Sequence, residues 1–368
     1  MRKVRKLVLG LTALSLAMQA QSTRAPLRVG VDGLVHGHVA GFLDRALKRP
    51  DLQIIGIAEP DRSLFDKYAA RYHLDPALYF PTLEEMLAKA HPTAVLIYTS
   101  TFDHRKAVEE CARHGVHAMM EKPLATSYKD ALAMAQAARS GHIHVLVNYE
   151  TSWYASNTGA HNLLRQGKLG DLRRIVVHDG HPGPKEIGVQ PEFFRWLTDP
   201  RLNGAGALFD FGCYGADLAT WLENGRTPLT VTAVTQQIKP DIYPRVDDEA
   251  TIVLAYPKAV AILQASWNWP FDRKDMEVYG RTGYAKTIRR DKLNVRLAGE
   301  REARITSPPA LQAPYDDSLH YFAAVIAGEI NDENSLSSLN TNLLVTEILD
   351  AARQSANEGK TVRLPLND

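Results

Sequence analysis

The chain of 368 residues has little cysteine and no excess of charge of either sign. Its two cysteines, Cys111 and Cys213, allow at most one disulfide, and neither has the spacing of a metal site. Cys111 lies among apolar residues of a predicted helix, where a buried free thiol is expected. With 43 Lys plus Arg against 42 Asp plus Glu, the formal net charge of +1 attracts neither nucleic acid nor an anionic membrane. These shortages favour a small-molecule partner.

Long apolar runs are also lacking, apart from one at residues 7–17. Four basic residues lie within the first six positions, and small residues follow the run as far as Ala25. This order is typical of a secretory signal peptide over residues 1–25. Since the run is shorter than the ~20 residues that span a bilayer, we expect cleavage and not a permanent anchor. We therefore expect export, in a bacterium into the periplasm, and no other membrane association.

The rest of the chain is long enough for two domains, because single hydrophobic cores stop growing at roughly 250–300 residues. Strands are predicted at residues 27–31, 53–58, 94–98, 115–120 and 144–148. Helices are predicted between them at residues 39–47, 62–72, 83–90, 104–114 and 124–139, with Ser127 as the cap of the last. Such alternation predicts an α/β fold with a doubly wound parallel sheet of the Rossmann type. We place this first domain at residues 26–148 and a second domain at residues 149–368.

The sequence Glu121-Lys122-Pro123 stands where a predicted strand ends and a helix begins. In doubly wound sheets the ligand lies beyond the carboxyl ends of the strands, so a lysine in a proline-stiffened turn there faces the crevice. By itself the pattern equally fits an exposed Glu-Lys pair at a helix start. The lysine becomes a catalytic candidate only together with the features that follow.

The first strand is followed by the turn Gly33-Leu34-Val35-His36-Gly37-His38, which is close to the dinucleotide-binding pattern G-x-G-x-x-G. Only Gly33 is in register, since Val35 replaces the second glycine, His38 replaces the third, and Gly37 comes one position early. A pyrophosphate needs close backbone approach and a helix amino terminus, so the signal is weak and a plain turn fits as well. The cofactor contacts expected here come from Gly33, Val35, His36, Gly37 and His38.

An acidic residue, Glu59, follows the second strand at about the position where a carboxylate accepts the ribose hydroxyls of a dinucleotide. Its charge would repel the 2′-phosphate of NADP, so NAD is the expected cofactor and NADP is less favoured. A solvated glutamate next to Pro60 is the alternative interpretation.

Four stretches of sequence carry a resemblance to one protein family. They are Glu121-Lys122-Pro123, a threonine-then-histidine segment at residues 98–104, residues 167–171, and a glycine-rich signature at residues 204–217. Together they resemble the Gfo/Idh/MocA oxidoreductases, typified by glucose-fructose oxidoreductase and inositol dehydrogenase, over residues 27–364. The resemblance implies that the second domain is an α/β domain with a large open sheet, mainly antiparallel, which forms the substrate wall and often joins subunits. A dimer or tetramer of identical chains is therefore expected.

The resemblance also implies roles for individual residues. Lys122 would lie between nicotinamide and substrate, Asp210 would match the family's aspartate, and Tyr214 its acid/base residue, which is histidine in many relatives. The further cofactor contacts that it implies are Thr99, Ser100, His104 and Glu121. It implies no metal ion.

Residues 210–222 predict a helix on which Asp210 and Tyr214 share one face. Hydride transfer from a carbinol needs a base for the hydroxyl proton. Tyrosine has a reference pKa near ~10, so it needs a neighbouring cation to lower that pKa. We expect Lys122 to supply the cation, and Asp210 to orient Lys122 or to bind a substrate hydroxyl.

Aromatic and polar residues near the domain junction are the candidates for substrate binding. Residues 148–154 follow the last strand of the first domain and are expected to line the crevice. Trp153 and Tyr154 suit stacking on a sugar ring, although aromatic residues at a domain junction are more often simply packed. In the loop-rich residues 178–204, most polar side chains are expected to be solvated, with Arg195 and Trp196 as the exceptions. The expected substrate contacts are Lys122, Tyr149, Trp153, Arg195, Trp196, Asp210 and Tyr214.

These features predict an exported NAD-dependent oxidoreductase that acts on a CH–OH group of a sugar or cyclic polyol. One alternative is a redox glycoside hydrolase, which oxidises a sugar carbon, eliminates the aglycone and reduces the ring again with the recycled cofactor. It would explain activity outside the cytoplasm, where free nicotinamide cofactor is scarce. A second alternative is a non-catalytic nucleotide- or sugar-binding protein, which the altered glycine turn favours and the intact Lys122, Asp210 and Tyr214 oppose.

Overall fold

The computed structural model describes residues 25–366, so all but the last residue of the predicted signal segment lies outside the described residues. Within residues 25–366, no helix is both long and apolar enough to cross a membrane. The described chain forms two sheets, one of six strands and one of nine.

Six parallel strands form the first sheet. They are β1 (Leu27–Asp32), β2 (Leu52–Ala58), β3 (Tyr79–Phe80), β4 (Ala94–Ile97), β5 (His117–Glu121) and β6 (Val145–Asn148). Their order across the sheet is β3-β2-β1-β4-β5-β6, which confirms the predicted doubly wound α/β sheet. Because the order reverses between β1 and β4, the carboxyl ends of these two strands border the crevice in which such folds bind ligands.

Five helices cover the first sheet. They are α1 (His38–Ala46), α2 (Arg62–Tyr72), α3 (Leu83–Ala90), α4 (His104–Arg113) and α5 (Tyr128–Gly141). Helix α5 begins at the cap that the sequence predicts, because Ser127 Oγ accepts the backbone N–H of Asp130 at 3.1 Å. Asp61 caps α2 in the same way by accepting the N–H of Ser63 at 2.9 Å. Such caps replace hydrogen bonds that the first turn of a helix lacks.

The second sheet has nine strands. They are β7 (Leu172–Gly180), β8 (Thr230–Gln236), β9 (Glu249–Ala255), β10 (Val260–Ser266), β11 (Arg273–Gly280), β12 (Tyr284–Arg289), β13 (Lys292–Arg296), β14 (Arg304–Thr306) and β15 (Val362–Arg363). Their order is β14-β13-β12-β11-β7-β10-β9-β8-β15, and only β7 and β10 pair in parallel. The predicted large, mainly antiparallel sheet is confirmed.

Seven helices belong to the second half of the chain. They are α6 (Ala155–Arg165), α7 (Pro191–Leu197), α8 (Pro200–Asn203), α9 (Ala207–Asp210), α10 (Gly212–Leu222), α11 (Ser318–Ile326) and α12 (Leu339–Glu358). Helices α10 and α12 pack on the inner face of the second sheet, and α12 also contacts α5. Helix α11 packs on the first sheet, where Phe322 is fully buried in the same apolar cluster as Leu96 and Leu146. The helices therefore join the two sheets, and the crevice lies between them.

The predicted continuous helix at residues 210–222 is interrupted in the structure. Helix α9 ends at Asp210, and Phe211 precedes α10 with a φ of −114°. The carboxylate of Asp247 accepts the N–H groups of Gly206 at 2.8 Å and Leu208 at 2.7 Å, so α9 has a cap of its own. A Cβ at Gly206 would lie 1.8 Å from the carbonyl oxygen of Asp247, which explains why glycine stands there. Asp210 is therefore a helix-end residue.

Candidate active site

Lys122 directly follows β5, and only 6% of its side chain is exposed. Its Nζ donates to the backbone carbonyl of Asp210 at 2.9 Å and to Asp210 Oδ1 at 2.5 Å. The other carboxylate oxygen of Asp210 accepts the Nε1–H of Trp267 at 2.8 Å. The structure thus brings two sequence-predicted residues together across the two domains, and it adds Trp267 as a third member.

Charge pairing outweighs burial in this ion pair. Burial alone favours the neutral amine, but the carboxylate of Asp210 raises the pKa of Lys122 above its usual value. Burial likewise opposes ionisation of Asp210, yet the charge of Lys122 and the hydrogen bonds from Lys122 and Trp267 lower its pKa. Both groups are therefore charged at neutral pH, and the additional hydrogen bonds are those that a buried ion pair requires.

Tyr214 lies on α10 with 1% of its surface exposed, and its ring centre is 5.2 Å from Lys122 Nζ. The ring of Tyr149 meets it edge-on at 5.4 Å, and Phe211 stacks on it at 5.9 Å. Burial raises the pKa of Tyr214 well above its usual value. The expected lowering of this pKa by Lys122 is therefore corrected by the structure: in this buried position the phenol keeps its proton.

Asp179 and Lys274 lie beside the ion pair on neighbouring strands, and the sequence prediction missed both. Asp179 continues the inward face of β7 after Ile175 and Val177 and is 1% exposed. Lys274 is its partner across the ladder between β7 and β11, and Lys274 Nζ is 5.2 Å from the ring centre of Tyr214. The period-two alternation of β7 is the signal that could have placed Asp179 on the buried face.

His181 is also part of the site, although its loop was predicted to be solvated. Its ring meets Phe211 edge-on at 4.9 Å between ring centres. Its Nδ1 accepts the backbone N–H of Gly183 at 2.9 Å, so the neutral imidazole carries its proton on Nε2. Burial lowers the pKa of His181, and the charge of Asp210 opposes this. The neutral ring can therefore donate a hydrogen bond to a hydroxyl or carbonyl oxygen.

A groove of about 540 Å³ opens beside the residue that precedes Lys122. Its lining includes Gly37, His38, Glu121, Asn148, Trp153 and Tyr154. Glu150 lies in its wall, where it is bonded to both Lys274 and Arg290. The volume lies within the range of roughly 300–1,000 Å³ that is typical of small-molecule sites.

The turn between β1 and α1 keeps the one glycine that its geometry requires. Gly33 has a φ of +80°, and a Cβ there would lie 2.7 Å from Thr99 Cγ2. The backbone N–H of His36 donates to the carbonyl of Tyr98 at 3.0 Å, so the turn lies against the loop after β4. Helix α1 starts immediately afterwards at His38, and its amino terminus borders the crevice.

Helix α7 of the second domain covers this turn. Trp196 Nε1 donates to the carbonyl of Val35 at 3.2 Å. The ring of His36 lies 4.8 Å from that of Phe193 and 5.5 Å from that of Trp196. A Cβ at Gly37 would lie 2.8 Å from the Phe193 ring. Trp196, predicted as a substrate contact, is therefore a contact of the cofactor turn.

Glu59 lies directly after β2, where a ribose-binding carboxylate was predicted. Its Oε2 accepts the N–H of Leu34 at 2.8 Å, and its Oε1 accepts the N–H of Asp61 at 2.9 Å. Burial raises the pKa of Glu59, and these two hydrogen bonds oppose the shift. Each oxygen can accept a further hydrogen bond. Gly33, the α1 amino terminus and Glu59 therefore fit a dinucleotide with its pyrophosphate at the turn.

Ser100 and His104 lie beyond β4, and both are buried. His104 shares its Nδ1–H between the carbonyl oxygens of Pro123 at 3.1 Å and Leu124 at 3.2 Å. Burial lowers the pKa of His104 to about 4, so the neutral ring keeps this donor. His104, predicted as a cofactor contact, thus positions the turn that carries Lys122.

Glu121, at the end of β5, forms side-chain contacts with α1 and β6. His38 Nδ1 lies 2.9 Å from its Oε2, and Asn148 Nδ2 donates to its Oε1 at 2.9 Å. Burial opposes ionisation, but the charge and hydrogen bond of His38 lower the pKa of Glu121 to about 2. With His36, these side chains place three potential metal ligands within 4.8 Å of one another. His36 Nδ1 accepts the backbone N–H of His38, so these ligand atoms already have partners.

Replacing Glu121 by glutamine should reduce the unfolding free energy that the protein loses when the pH is lowered. The pKa of Glu121 falls from 4.5 to about 2 on folding. The contribution of its carboxylate to the free energy of unfolding is therefore complete above pH 4.5 and is lost as the pH falls towards 2. Between neutral pH and about pH 3, the wild type should lose about 2 kcal/mol more unfolding free energy than the variant. Urea denaturation at both pH values measures the difference. Glu84→Gln, at an exposed position, is the control, and equal losses in wild type and Glu121→Gln would contradict the lowered pKa.

The other predicted substrate residues lie in three different environments. Tyr149 is fully buried and its hydroxyl donates to Asn342 Oδ1 at 2.8 Å, so it anchors α12 at the end of β6 and does not face the groove. Trp153 lies in the groove wall and donates from Nε1 to Asn148 Oδ1 at 3.0 Å. Arg195 is exposed on α7.

Two sequence models of one family match the chain. Residues 27–149 match the oxidoreductase family with an NAD-binding Rossmann fold, and residues 158–286 match the GFO/IDH/MocA C-terminal domain. The two matched segments contribute the two walls of the crevice, and together they cover more than half of the chain.

Curated proteins with similar sequences are dehydrogenases and reductases. Trans-1,2-dihydrobenzene-1,2-diol dehydrogenase from Macaca fascicularis is 24% identical over 228 residues, which are 62% of this chain and 64% of that protein. The dTDP-3,4-didehydro-2,6-dideoxy-alpha-D-glucose 3-reductase from Saccharopolyspora spinosa is 25% identical over 56% of this chain and 59% of that protein. The chain thus spans less than two thirds of the length of these relatives.

Solved structures share the fold over nearly the whole described chain. The aldose-aldose oxidoreductase from Caulobacter crescentus has a TM-score of 0.77 at 22% identity and covers 92% of this chain and 100% of that one. The inositol dehydrogenase homolog from Azotobacter vinelandii, complexed with NAD+, has a TM-score of 0.76 at 19% identity, with 92% and 97% covered. On the match of both its domains, the chain belongs to the Gfo/Idh/MocA family of oxidoreductases, with an NAD-binding Rossmann domain.

Proposed function

We propose that the protein transfers hydride between NAD and a CH–OH group of a sugar or cyclic polyol. The observation that carries this proposal is the buried ion pair of Lys122 and Asp210, which lies at the end of β5 and faces Tyr214. Desolvating two charges is costly, and such groups cluster at functional sites. The names of structural relatives, an aldose-aldose oxidoreductase and an inositol dehydrogenase homolog, support the substrate class.

Each residue of the site has a separate role in the reaction. NAD, when bound, accepts or returns the hydride at its nicotinamide ring. Tyr214 exchanges its phenolic proton with the carbinol oxygen, and the ammonium of Lys122 stabilises negative charge on both oxygens. Asp210 keeps Lys122 charged and in place. His181 donates its Nε2–H to a further substrate oxygen.

The first experiment is to denature the purified protein and to analyse the released small molecules by absorbance and mass spectrometry. Bound NAD or NADH is expected, because α7 closes over the cofactor turn through Trp196. Aldoses and inositols added to the native protein should then produce NADH absorbance. A protein that releases no NAD and shows no saturable binding of added NAD would contradict the proposal and favour a non-catalytic binding function.

We also propose that the protein is exported. The basic head, the short apolar run and the small residues within residues 1–25 support this localisation. The chain from the exported fraction should then begin near residue 26, which amino-terminal sequencing measures. An intact amino terminus in that fraction would contradict cleavage.

A dimer or tetramer through the outer face of the second sheet is a further part of the proposal. On this face, Val234 of β8 is 62% exposed and Ile288 of β12 is 45% exposed, whereas the residues before them, Ala233 and Thr287, are buried on the side that α12 and α6 cover. Light scattering should give a multiple of the chain mass, and charged substitutions at both positions should reduce it. A monomeric wild type would contradict the assembly.

A further inference from the structure

A second cavity lies beside the groove that borders the candidate active site. Its volume is about 800 Å³, which is within the range of roughly 300–1,000 Å³ that is typical of small-molecule sites. Helix α6, strands β13 and β14, and the segment of residues 306–313 contribute most of its walls, and we call it the α6 pocket. The proposed hydride transfer gives this pocket no role.

Two short segments of the chain border both the groove and the α6 pocket. In the first segment, Tyr154 lines the groove and Ser152 lines the pocket, and Trp153 between them lines both. In the second segment, Asp316 lines the groove and Tyr315 lines the pocket. The two spaces are therefore neighbours, and a molecule of several linked rings can occupy both.

Aromatic rings continue from the groove wall into the α6 pocket. The ring centres of Trp153 and Tyr321 are 5.7 Å apart, and those of Tyr321 and Tyr315 are 5.9 Å apart. Trp221 also lines the pocket, and its ring stacks on that of His161 at 3.8 Å between ring centres. Burial lowers the pKa of His161 to about 4, so this stack joins two neutral rings and fixes the indole in one orientation.

The polar side chains of the α6 pocket are nearly all uncharged. Among the described residues in its lining, Arg304 is the only charged one, and it is paired with Glu300. Ser152, Asn162 and Gln166 provide hydroxyl and amide groups, which both donate and accept hydrogen bonds. The Ser152 hydroxyl is buried and has no partner among residues 25–366, which is costly unless a ligand or water satisfies it. The lining therefore favours a neutral ligand that carries hydroxyl groups.

Close packing between α6 and the segment of residues 306–313 shapes the α6 pocket. Gly159 lies in the interior of α6, where glycine destabilises a helix. A Cβ there would lie 2.6 Å from Pro308 Cγ and 3.0 Å from Leu293 Cδ1. The absence of a side chain therefore lets Pro308 and β13 approach the helix, so that packing holds the pocket wall in place.

We propose that the α6 pocket is a saccharide subsite and that the substrate is a neutral oligosaccharide. Its reacting ring lies in the groove, and its next rings lie in the pocket. The inference rests on the proposed hydride transfer to a sugar, and it narrows the substrate class. Aromatic faces stack on the C–H faces of sugar rings, while hydroxyl and amide side chains bond the sugar hydroxyls. No bond is made or broken in the pocket, so its residues act on specificity.

The test measures binding, so it does not depend on hydride transfer. Saturation-transfer NMR titrations of the purified protein, with and without NAD, compare glucose with maltotriose, cellotriose and laminaritriose. At least one trisaccharide should bind about tenfold or more tightly than glucose, because its further rings occupy the α6 pocket. Trp221→Leu should bind the trisaccharides no more tightly than glucose. Trp269→Leu changes a partly buried tryptophan outside the pocket and should keep the tighter binding.

Thr158→Phe is the second variant, because it fills the α6 pocket from α6 and should also remove the tighter binding. Circular dichroism of each variant verifies that it is folded. Trisaccharides that bind the wild type no better than glucose, or tighter binding that persists in a folded pocket variant, would overturn the inference. Binding of N-phenyl-1-naphthylamine that no saccharide displaces would assign the pocket to an apolar ligand and would also overturn it. Failure of the proposed function is seen separately, as absent NAD and absent NADH formation.

Discussion

Replacing Lys122 by methionine should lower turnover about 1,000-fold or more, since charge stabilisation and proton transfer both depend on its ammonium group. Methionine keeps an unbranched side chain but removes the group that lies 2.5 Å from Asp210 Oδ1 and 5.2 Å from the Tyr214 ring centre. The same change should lower the unfolding free energy by about 3–5 kcal/mol, because it leaves the charge of Asp210 buried and unpaired. NADH absorbance measures turnover, and urea denaturation measures stability.

A second substitution separates the two effects of this change. Asp210→Asn removes the buried charge and retains an oxygen that can accept the Nε1–H of Trp267. The double variant Lys122→Met/Asp210→Asn should recover about 2 kcal/mol or more of the lost stability and none of the activity. Lys129→Met, at an exposed position on α5, is the control. Near wild-type turnover in Lys122→Met would refute the proposed site. An active double variant would refute the role of the charges of Lys122 and Asp210 in turnover.

Replacing Tyr214 by phenylalanine should lower turnover about 100- to 10,000-fold while the fold remains intact. Phenylalanine keeps the ring contacts with Tyr149 and Phe211 and removes only the hydroxyl that exchanges a proton with the substrate. Steady-state kinetics and thermal unfolding measure the two properties. Tyr256→Phe, which removes the hydroxyl of another buried tyrosine, should leave turnover unchanged.

The pH dependence should identify the proton that Tyr214 exchanges. Burial raises the pKa of Tyr214, so the phenol is protonated up to alkaline pH. Sugar oxidation needs a proton acceptor, so its rate should rise with pH up to at least about pH 9, whereas ketone reduction should stay constant over this range. The phenylalanine variant should lose the rise. A rise that persists unchanged in the variant would assign the proton to another group.

Local patterns explain why most of the first domain could be predicted. Helix α3 (Leu83–Ala90) has the bounds that the apolar periodicity of its residues predicts. The cap of α5 could also be predicted, because Ser127 and the residue whose N–H it accepts lie within one helical turn. The break at Phe211 could not be predicted in this way. It depends on Asp247, which caps α9 through Gly206 from 41 residues further along the chain.

The candidate site shows the same division between local and distant contacts. Lys122, Asp210 and Tyr214 were found because they belong to contiguous sequence stretches with a recognisable pattern. Asp179 and Lys274 were missed because they meet only where β7 pairs with β11. His104 was assigned to the cofactor, whereas its buried ring holds the backbone of the turn before α5.

The sequence by itself determined the alternating architecture, the family and the two charged residues of the ion pair, since these depend on short-range periodicity and on side-chain chemistry. Tertiary structure decided which groups are buried beside which charges, and with that their protonation. The pKa of Tyr214 is not lowered in the way that the sequence suggested, because burial raises it and the carboxylates of Glu121, Asp210 and Asp179 add to this rise. Burial depends on all elements that pack around a residue, and no local stretch of sequence contains that information.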